Sequence, residues 1–118
     1  MPIIITEDFS LDEFVCPDGC GANHIHEGII HRLQVIRDIV KTPIIITSGV
    51  RCCKHNDELG GAINSYHLPG WAVDWTMEDP KTLEWTAKTL LHNWSGGFHW
   101  SPEKKFIHCD IGPRRRWL

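Results

Sequence analysis

The stretch Asn64-Ser65-Tyr66-His67-Leu68-Pro69-Gly70-Trp71-Ala72-Val73-Asp74 is the one the rest of the chain is organised around. Pro69-Gly70 is turn chemistry, and the run from Trp71 to Thr76 alternates as a half-buried strand does. A turn there lets a loop histidine, His67, and a strand carboxylate, Asp74, face the same point. A carboxylate set in an apolar strand needs a partner or a metal, because burying it alone is costly. A second strand-like run, Phe106-Ile107-His108-Cys109-Asp110-Ile111, offers another histidine. Two histidines and one carboxylate, with a fourth position open to water, is how a catalytic zinc site is built.

Strand alternation makes that idea concrete. Asp74 shares a face with Ala72 and Thr76, opposite Trp71, Val73 and Trp75. His108 shares a face with Phe106 and Asp110, opposite Ile107, Cys109 and Ile111. If the two strands pair antiparallel, Asp74 and His108 sit side by side, His67 arrives by its loop, and Cys109 points into the core.

The remaining elements read as the support for this site. Ser10-Leu11-Asp12-Glu13 has the form of a capping box, which starts a short helix at Leu11. From Glu27 to Lys41, Ile29, Ile30, Leu33, Ile36, Ile39 and Val40 recur at helical spacing, and Pro43 stops the helix. Ile44-Ile45-Ile46-Thr47 reads as a buried strand, followed by a polar loop through Arg51, Asn56, Gly60 and Gly61. Asp79-Pro80 opens a helix whose apolar face is Leu83, Ala87, Leu90, Leu91 and Trp94, ended by Ser95-Gly96-Gly97. The last strand is placed at Lys105 to Ile111. The expected fold is α+β, helices packed on a small antiparallel sheet, in a single domain over 1–118.

Composition narrows the function classes. A net charge of −3 gives no reason to expect nucleic-acid binding, and the basic run Arg114-Arg115-Arg116 reads as a solvated tail, with a local anionic contact as the alternative. No window approaches the roughly 20 apolar residues of a membrane helix. Met-Pro-Ile-Ile-Ile-Thr-Glu-Asp has neither a basic start nor a small-residue cleavage site, so a secretory signal is not expected there. Cys16, Cys20, Cys52 and Cys53 leave three states open: free thiols, disulfides, or a second, structural metal site. His24, His26 and His55 flank loops and read as solvated, and His31, His92 and His99 give no ligand signal. Of the six tryptophans, Trp75 and Trp94 fit the core, whereas Trp71, Trp100 and Trp117 fit a core or a groove equally.

The run Ser65-x-His67-x-x-Gly70-x-Ala72-x-Asp74 resembles the signature of the D-alanyl-D-alanine carboxypeptidase-like zinc peptidases. So do Thr47-Ser48-Gly49-Val50-Arg51, His55-Asn56, Gly60-Gly61-Ala62, His108-x-Asp110 and the closing Arg116-Trp117. In order, these cover nearly the whole chain and are similar to the small, single-domain branch often encoded by phages. A more distant resemblance is to the Hedgehog signalling domain, through His67-Leu-Pro-Gly-x-Ala-Val-Asp74. The resemblance implies zinc (Zn2+) held by His67, Asp74 and His108, and hydrolysis of a peptide bond in peptidoglycan stem peptides, as carboxypeptidase or endopeptidase. It places Arg51 near the metal, against substrate or developing oxyanion, and Ser65 as an orienting or substrate-binding residue.

One position departs from the family pattern. Many members carry the general base three residues before the last histidine, where this chain has Lys105, a cation. Asp110 is then the first candidate for base or partner of a ligand, and Glu103 the second; pairing of Asp110 with backbone or with Arg51 is the structural alternative. Without a base the same fold would be a non-catalytic, zinc-stabilised binding or structural module, for example in a phage tail. The expected partner is peptidoglycan peptide and the expected state a monomer. The chain is expected to be cytoplasmic as synthesised, acting at the cell wall if delivered by lysis or by a phage particle.

Overall fold

Strand β4 (Ala72–Thr76), at whose centre Asp74 lies, sits inside a five-stranded sheet in the computed structural model, which describes residues 3–117. Residues 1, 2 and 118 of the expected domain lie outside the described residues. The sheet order is β3 (Ile45–Ser48), β4, β6 (Phe106–Asp110), β5 (Gly97–Ser101) and β7 (Arg115–Trp117). Four of these pair antiparallel; β7 adds to the edge parallel to β5. The expected α+β architecture is present, with the sheet mixed at that one edge. A separate hairpin, β1 (Ile4–Thr6) with β2 (Phe9–Ser10), precedes a 3₁₀ turn over Leu11–Phe14. There the Glu13 carboxylate accepts the Ser10 amide at 2.7 Å, as the predicted capping box requires.

Helices α1 (Glu27–Val40) and α3 (Pro80–Asn93) share one core with the sheet. Ile29, Ile30, Leu33 and Ile36 of α1 and Leu83, Ala87 and Leu90 of α3 meet Val73, Trp75, Phe98, Ile107 and Cys109 from the strands. Each fully buried aliphatic there contributes about 1.5–3 kcal/mol. Asp79 caps α3 by accepting the Lys81 and Thr82 amides, as the Asp-Pro start implies. Ile39, counted on the apolar face of α1, is exposed instead, one residue before the helix ends and the chain turns left-handed at Lys41.

Two other expectations are corrected. Strand β3 is an edge strand rather than a buried one, with Ile45 exposed, since only β4 pairs with it. The polar loop after it contains a third helix, α2 (Cys53–Glu58), whose His55 amide donates to the Cys52 side chain, an acceptor weaker than the usual hydroxyl or carboxylate. No helix among the described residues is long and apolar enough to cross a membrane.

Candidate functional site

Sheet register assembles the site. Ser48 pairs with Asp74, Asp74 with His108, His108 with His99, and His99 with Trp117. Directly paired residues present their side chains on one face. A single row across all five strands therefore carries Ser48, Asp74, His108, His99 and Trp117 on the face opposite the core.

His67 comes to this row from the turn. Gly70 makes the turn possible: its φ is 76°, and a side chain there would run into the His24 carbonyl oxygen. The His67 amide donates to Ser65 Oγ at 3.2 Å, and its carbonyl accepts from the Arg51 amide at 3.1 Å. Its ring Nδ1 lies 2.7 Å from the Gly49 carbonyl oxygen. A carbonyl can only accept, so Nδ1 carries the proton and Nε2 is left as a lone pair, 3.4 Å from Asp74 Oδ2.

His108 is arranged in the mirrored sense. Its Nε2 is 2.8 Å from Asp110 Oδ2 and its Nδ1 is 2.8 Å from Asp74 Oδ1. One donor atom from each of His67, Asp74 and His108 lies within 4.8 Å of the other two. The His67 Nε2 lone pair and the Asp74 carboxylate are acceptors, and His108 Nδ1, which faces Asp74 as a donor, becomes a third when it gives up its proton to a metal. The second nitrogen of each ring is already held by an oxygen acceptor, the outer arrangement that metal-ligating histidines use. The donor set thus fits a small divalent ion.

Electrostatics follow the same geometry. Burial alone would raise the Asp74 carboxyl, but hydrogen bonds and charge from His108 and His67 hold it well below the ordinary carboxylate range. Burial alone would lower His108; the carboxylates of Asp110 and Asp74 on either side outweigh it and raise the imidazole.

Asp110 is fully buried, and both of its oxygens are spoken for. Oδ1 accepts the Gly97 and Gly112 amides at 3.0 Å each; Oδ2 takes His108 and, at 2.6 Å, Arg115 Nη2. Gly97 must be glycine, because a side chain there would overlap this carboxylate. Asp110, expected as a base, thus has each oxygen held by two donors, one of them His108. Of its predicted alternative partners the backbone is present, through the Gly97 and Gly112 amides, while Arg115 stands where Arg51 was expected, its guanidinium stacked over Tyr66 at 4.8 Å. Glu103, the second base candidate, is exposed in the β5–β6 turn and does not line the cleft. Lys105 ends that turn with φ of 58°.

Arg51 stands beside the donor cluster, its Nη2 3.5 Å from Asp74 Oδ2. Ser48 Oγ accepts from its Nε at 3.2 Å and Asn56 Oδ1 from its Nη1 at 3.3 Å. Asn56 is itself buried and donates to the Ala62 carbonyl at 2.9 Å, while Gly61 leaves room for its side chain. The sequence run from Arg51 through Asn56 to Ala62 is thus a brace for one guanidinium.

The cleft over the cluster has a volume of about 220 Å³, with Arg51, Ser65, His99, Phe106 and Trp117 around the three donors. Sequence reading passed over His99, whose strand was not recognised. Its Nδ1 lies 2.6 Å from the Trp117 carbonyl oxygen and its ring stacks on Trp117, 5.5 Å between centroids. The solvated tail is corrected with it. Arg114 and Arg116 donate to carbonyls at the end of α3, Trp94 and His92 for the first, Leu91, Trp94 and Gly96 for the second, and the segment closes the sheet as β7.

Comparison with known proteins places this arrangement. A family model described as Peptidase M15 matches residues 6–110. The peptidoglycan L,D-endopeptidase MepK of Escherichia coli K12 and that of Shigella flexneri are each 33% identical over 100 residues, 79% of this chain and 54% of the relative. The probable peptidoglycan L,D-endopeptidase MepK of Haemophilus influenzae is 32% identical over 72 residues, 60% of this chain and 38% of the relative. The chain spans about half the length of the curated relatives it matches.

Proposed function

The chain belongs to the peptidase M15 family, and we propose that it hydrolyses a peptide bond in the stem peptides of bacterial peptidoglycan, with zinc held by His67 Nε2, Asp74 and His108 Nδ1. The observation that carries this reading is the convergence of three potential metal-ligating atoms on the floor of an open cleft, with a braced guanidinium beside them. When bound, zinc would polarise the scissile carbonyl and lower the pKa of its water.

The chain's own residues then have separable tasks. Arg51 offers fixed donors where negative charge collects on the substrate, either a carbonyl oxygen in the transition state or a peptide carboxylate. His99 takes the proton-accepting role that Asp110 and Glu103 are not placed to fill. A carbonyl partner leaves its Nδ1 protonated and its Nε2 free as a base. Phe106 and Trp117 give the cleft apolar walls against which a peptide can pack. Ser65 positions His67 through its amide.

Two bonds are compatible with this chemistry. The L,D-endopeptidase name of the curated relatives favours an internal L,D bond of the stem peptide over a terminal D-alanyl-D-alanine bond. The test is to incubate zinc-loaded protein with purified peptidoglycan and to identify the products by mass spectrometry. New internal stem-peptide ends, absent with His67→Ala, support the L,D reading; released D-alanine assigns the carboxypeptidase bond instead. A folded, zinc-loaded protein that cuts neither substrate is the non-catalytic module, and the proposal fails.

A further inference from the structure

Away from the cleft, the segment after the 3₁₀ turn and the residue following Arg51 bring three thiols and a carboxylate together. We propose that Cys16, Asp18, Cys20 and Cys52 form a second metal site, which holds one structural zinc ion and ties the 16–22 loop to the Arg51 segment. One donor atom from each of the four lies within 4.8 Å of the others. None of the four has a place in the peptidase reading.

Distances decide between a metal and a disulfide. Cys16 Sγ and Cys52 Sγ are 3.9 Å apart. A tetrahedral zinc with bonds of about 2.3 Å to sulfur separates its sulfurs by about 3.8 Å, whereas a disulfide needs about 2.05 Å. Asp18 Oδ1 is 3.4 Å from Cys16 Sγ and its Oδ2 is 2.9 Å from Cys52 Sγ, so the carboxylate closes the fourth corner. A Cys16–Cys52 bridge would leave Asp18 and Cys20 with nothing to do.

The backbone around the sulfurs points the same way. The Ala22 amide donates to Cys20 Sγ and the His55 amide to Cys52 Sγ, each at 3.4 Å. Amide donors aimed at sulfur favour the anionic, ligating form, against the Asp18 carboxylate, which pushes the metal-free Cys20 and Cys52 thiols up. The Asp18 carboxylate also accepts the Cys20 amide at 2.9 Å, which turns the loop so that the exposed Cys20 comes beside the buried Cys16. Sulfur-rich tetrahedral sites select zinc over harder divalent ions. On binding, each of the three thiols gives up its proton to solvent while the carboxylate enters already ionised. Cys53, adjacent and exposed, is not in the cluster.

The consequence reaches the cleft through the chain itself. The Val50 amide donates to the Phe14 carbonyl at 2.9 Å, two residues from Cys16 and two from Cys52. The second ion would therefore fasten both sides of that contact and with it the backbone carrying Arg51.

The test measures metal on the full chain, purified under reducing conditions, with a readout independent of catalysis. Wild type should carry about two zinc ions, one for each tetrahedral site. His67→Ala should lose one and keep the other; Cys16→Ser/Cys52→Ser should lose the other; Cys53→Ser should lose neither. Cobalt loading separates the sites further: a thiolate-to-cobalt charge-transfer band should persist in His67→Ala and vanish in the double variant. If the double variant does not fold, Cys20→Ser alone should lower that band by about a third, since one of three thiolates is gone. A His67→Ala protein free of metal and of the cobalt–thiolate band overturns the proposal, as does a Cys16–Cys52 disulfide in metal-free protein. Failure of the peptidase site shows instead as no change in metal on His67→Ala, so the two readings fail separately.

Discussion

Replacing Asp110 by asparagine changes almost no volume but reverses the hydrogen-bond logic behind His108. The asparagine oxygen can keep the Gly97 and Gly112 amides. Its NH2 group then faces His108 Nε2 and Arg115 Nη2, where the carboxylate oxygen now stands 2.8 Å and 2.6 Å away. Donor meets donor, so His108 must surrender the Nε2 proton and carry it on Nδ1. Nδ1 is the atom facing Asp74, and a protonated nitrogen cannot bind a metal. Loss of such an outer partner costs about 10–100-fold in metal affinity, or about 1.4–2.8 kcal/mol. The metal-free fold should lose about 3 kcal/mol, the low end for removing one partner of a buried pair, because Arg115 is 36% exposed and keeps part of its solvation. Competition with a chelating dye measures the first quantity and urea denaturation of the chelated protein the second. Metal affinity at the His67 site equal to wild type would refute the assignment of Asp110 as the residue that fixes the His108 tautomer.

Three further outcomes follow from the same geometry. His99→Gln should slow peptide hydrolysis by about 10²–10⁴-fold, the usual worth of a positioned base, with zinc content unchanged by mass spectrometry; a smaller loss removes His99 from the chemistry. Arg116→Ala frees the carbonyls of Leu91 and Gly96 at the end of α3, and should lower stability by about 1.5–3 kcal/mol, the scale of hydrogen bonds to a charged group, read as a drop in urea midpoint. The chelated protein should respond to pH through His108. Its imidazole is raised in the folded state by Asp110 and Asp74, against the effect of burial. That contribution is therefore full below the ordinary histidine value of about 6.5 and is lost as pH rises through the folded value. Zinc-loaded protein should do the opposite and lose its metal on acidification, because the ligands must be deprotonated. Denaturation midpoints across a pH series, with and without chelator, check both signs.

Much of this architecture was legible because it rests on local patterns. Alternation in 72–76 and 106–110 put Asp74 and His108 on polar faces, and antiparallel pairing does bring those two opposite each other. The apolar spacing and caps of α1 and α3 marked both helices. What stayed hidden depends on partners distant in sequence. Strand β5 begins at Gly97 and runs into Ser101-Pro102, which reads as a turn; it is a strand because β6 and β7 pair with it on both sides. With β5 unread, His99 could not be placed in the cleft. Three consecutive arginines look solvated until the ends of α3 and Asp110 supply their acceptors. The role of Asp110 was open for the same reason. A carboxylate two residues after a ligand can face solvent or a buried network, and only the approach of Gly97, Gly112 and Arg115 decides which.

The most direct test of the metal centre is a crystal structure of zinc-treated protein with anomalous data collected on both sides of the zinc absorption edge. The account predicts a peak bonded to His67 Nε2, an Asp74 oxygen and His108 Nδ1, with bonds of about 2.0–2.2 Å to each. A peak that engages His108 through Nε2, or no peak among these three residues while zinc sits elsewhere on the chain, would contradict it.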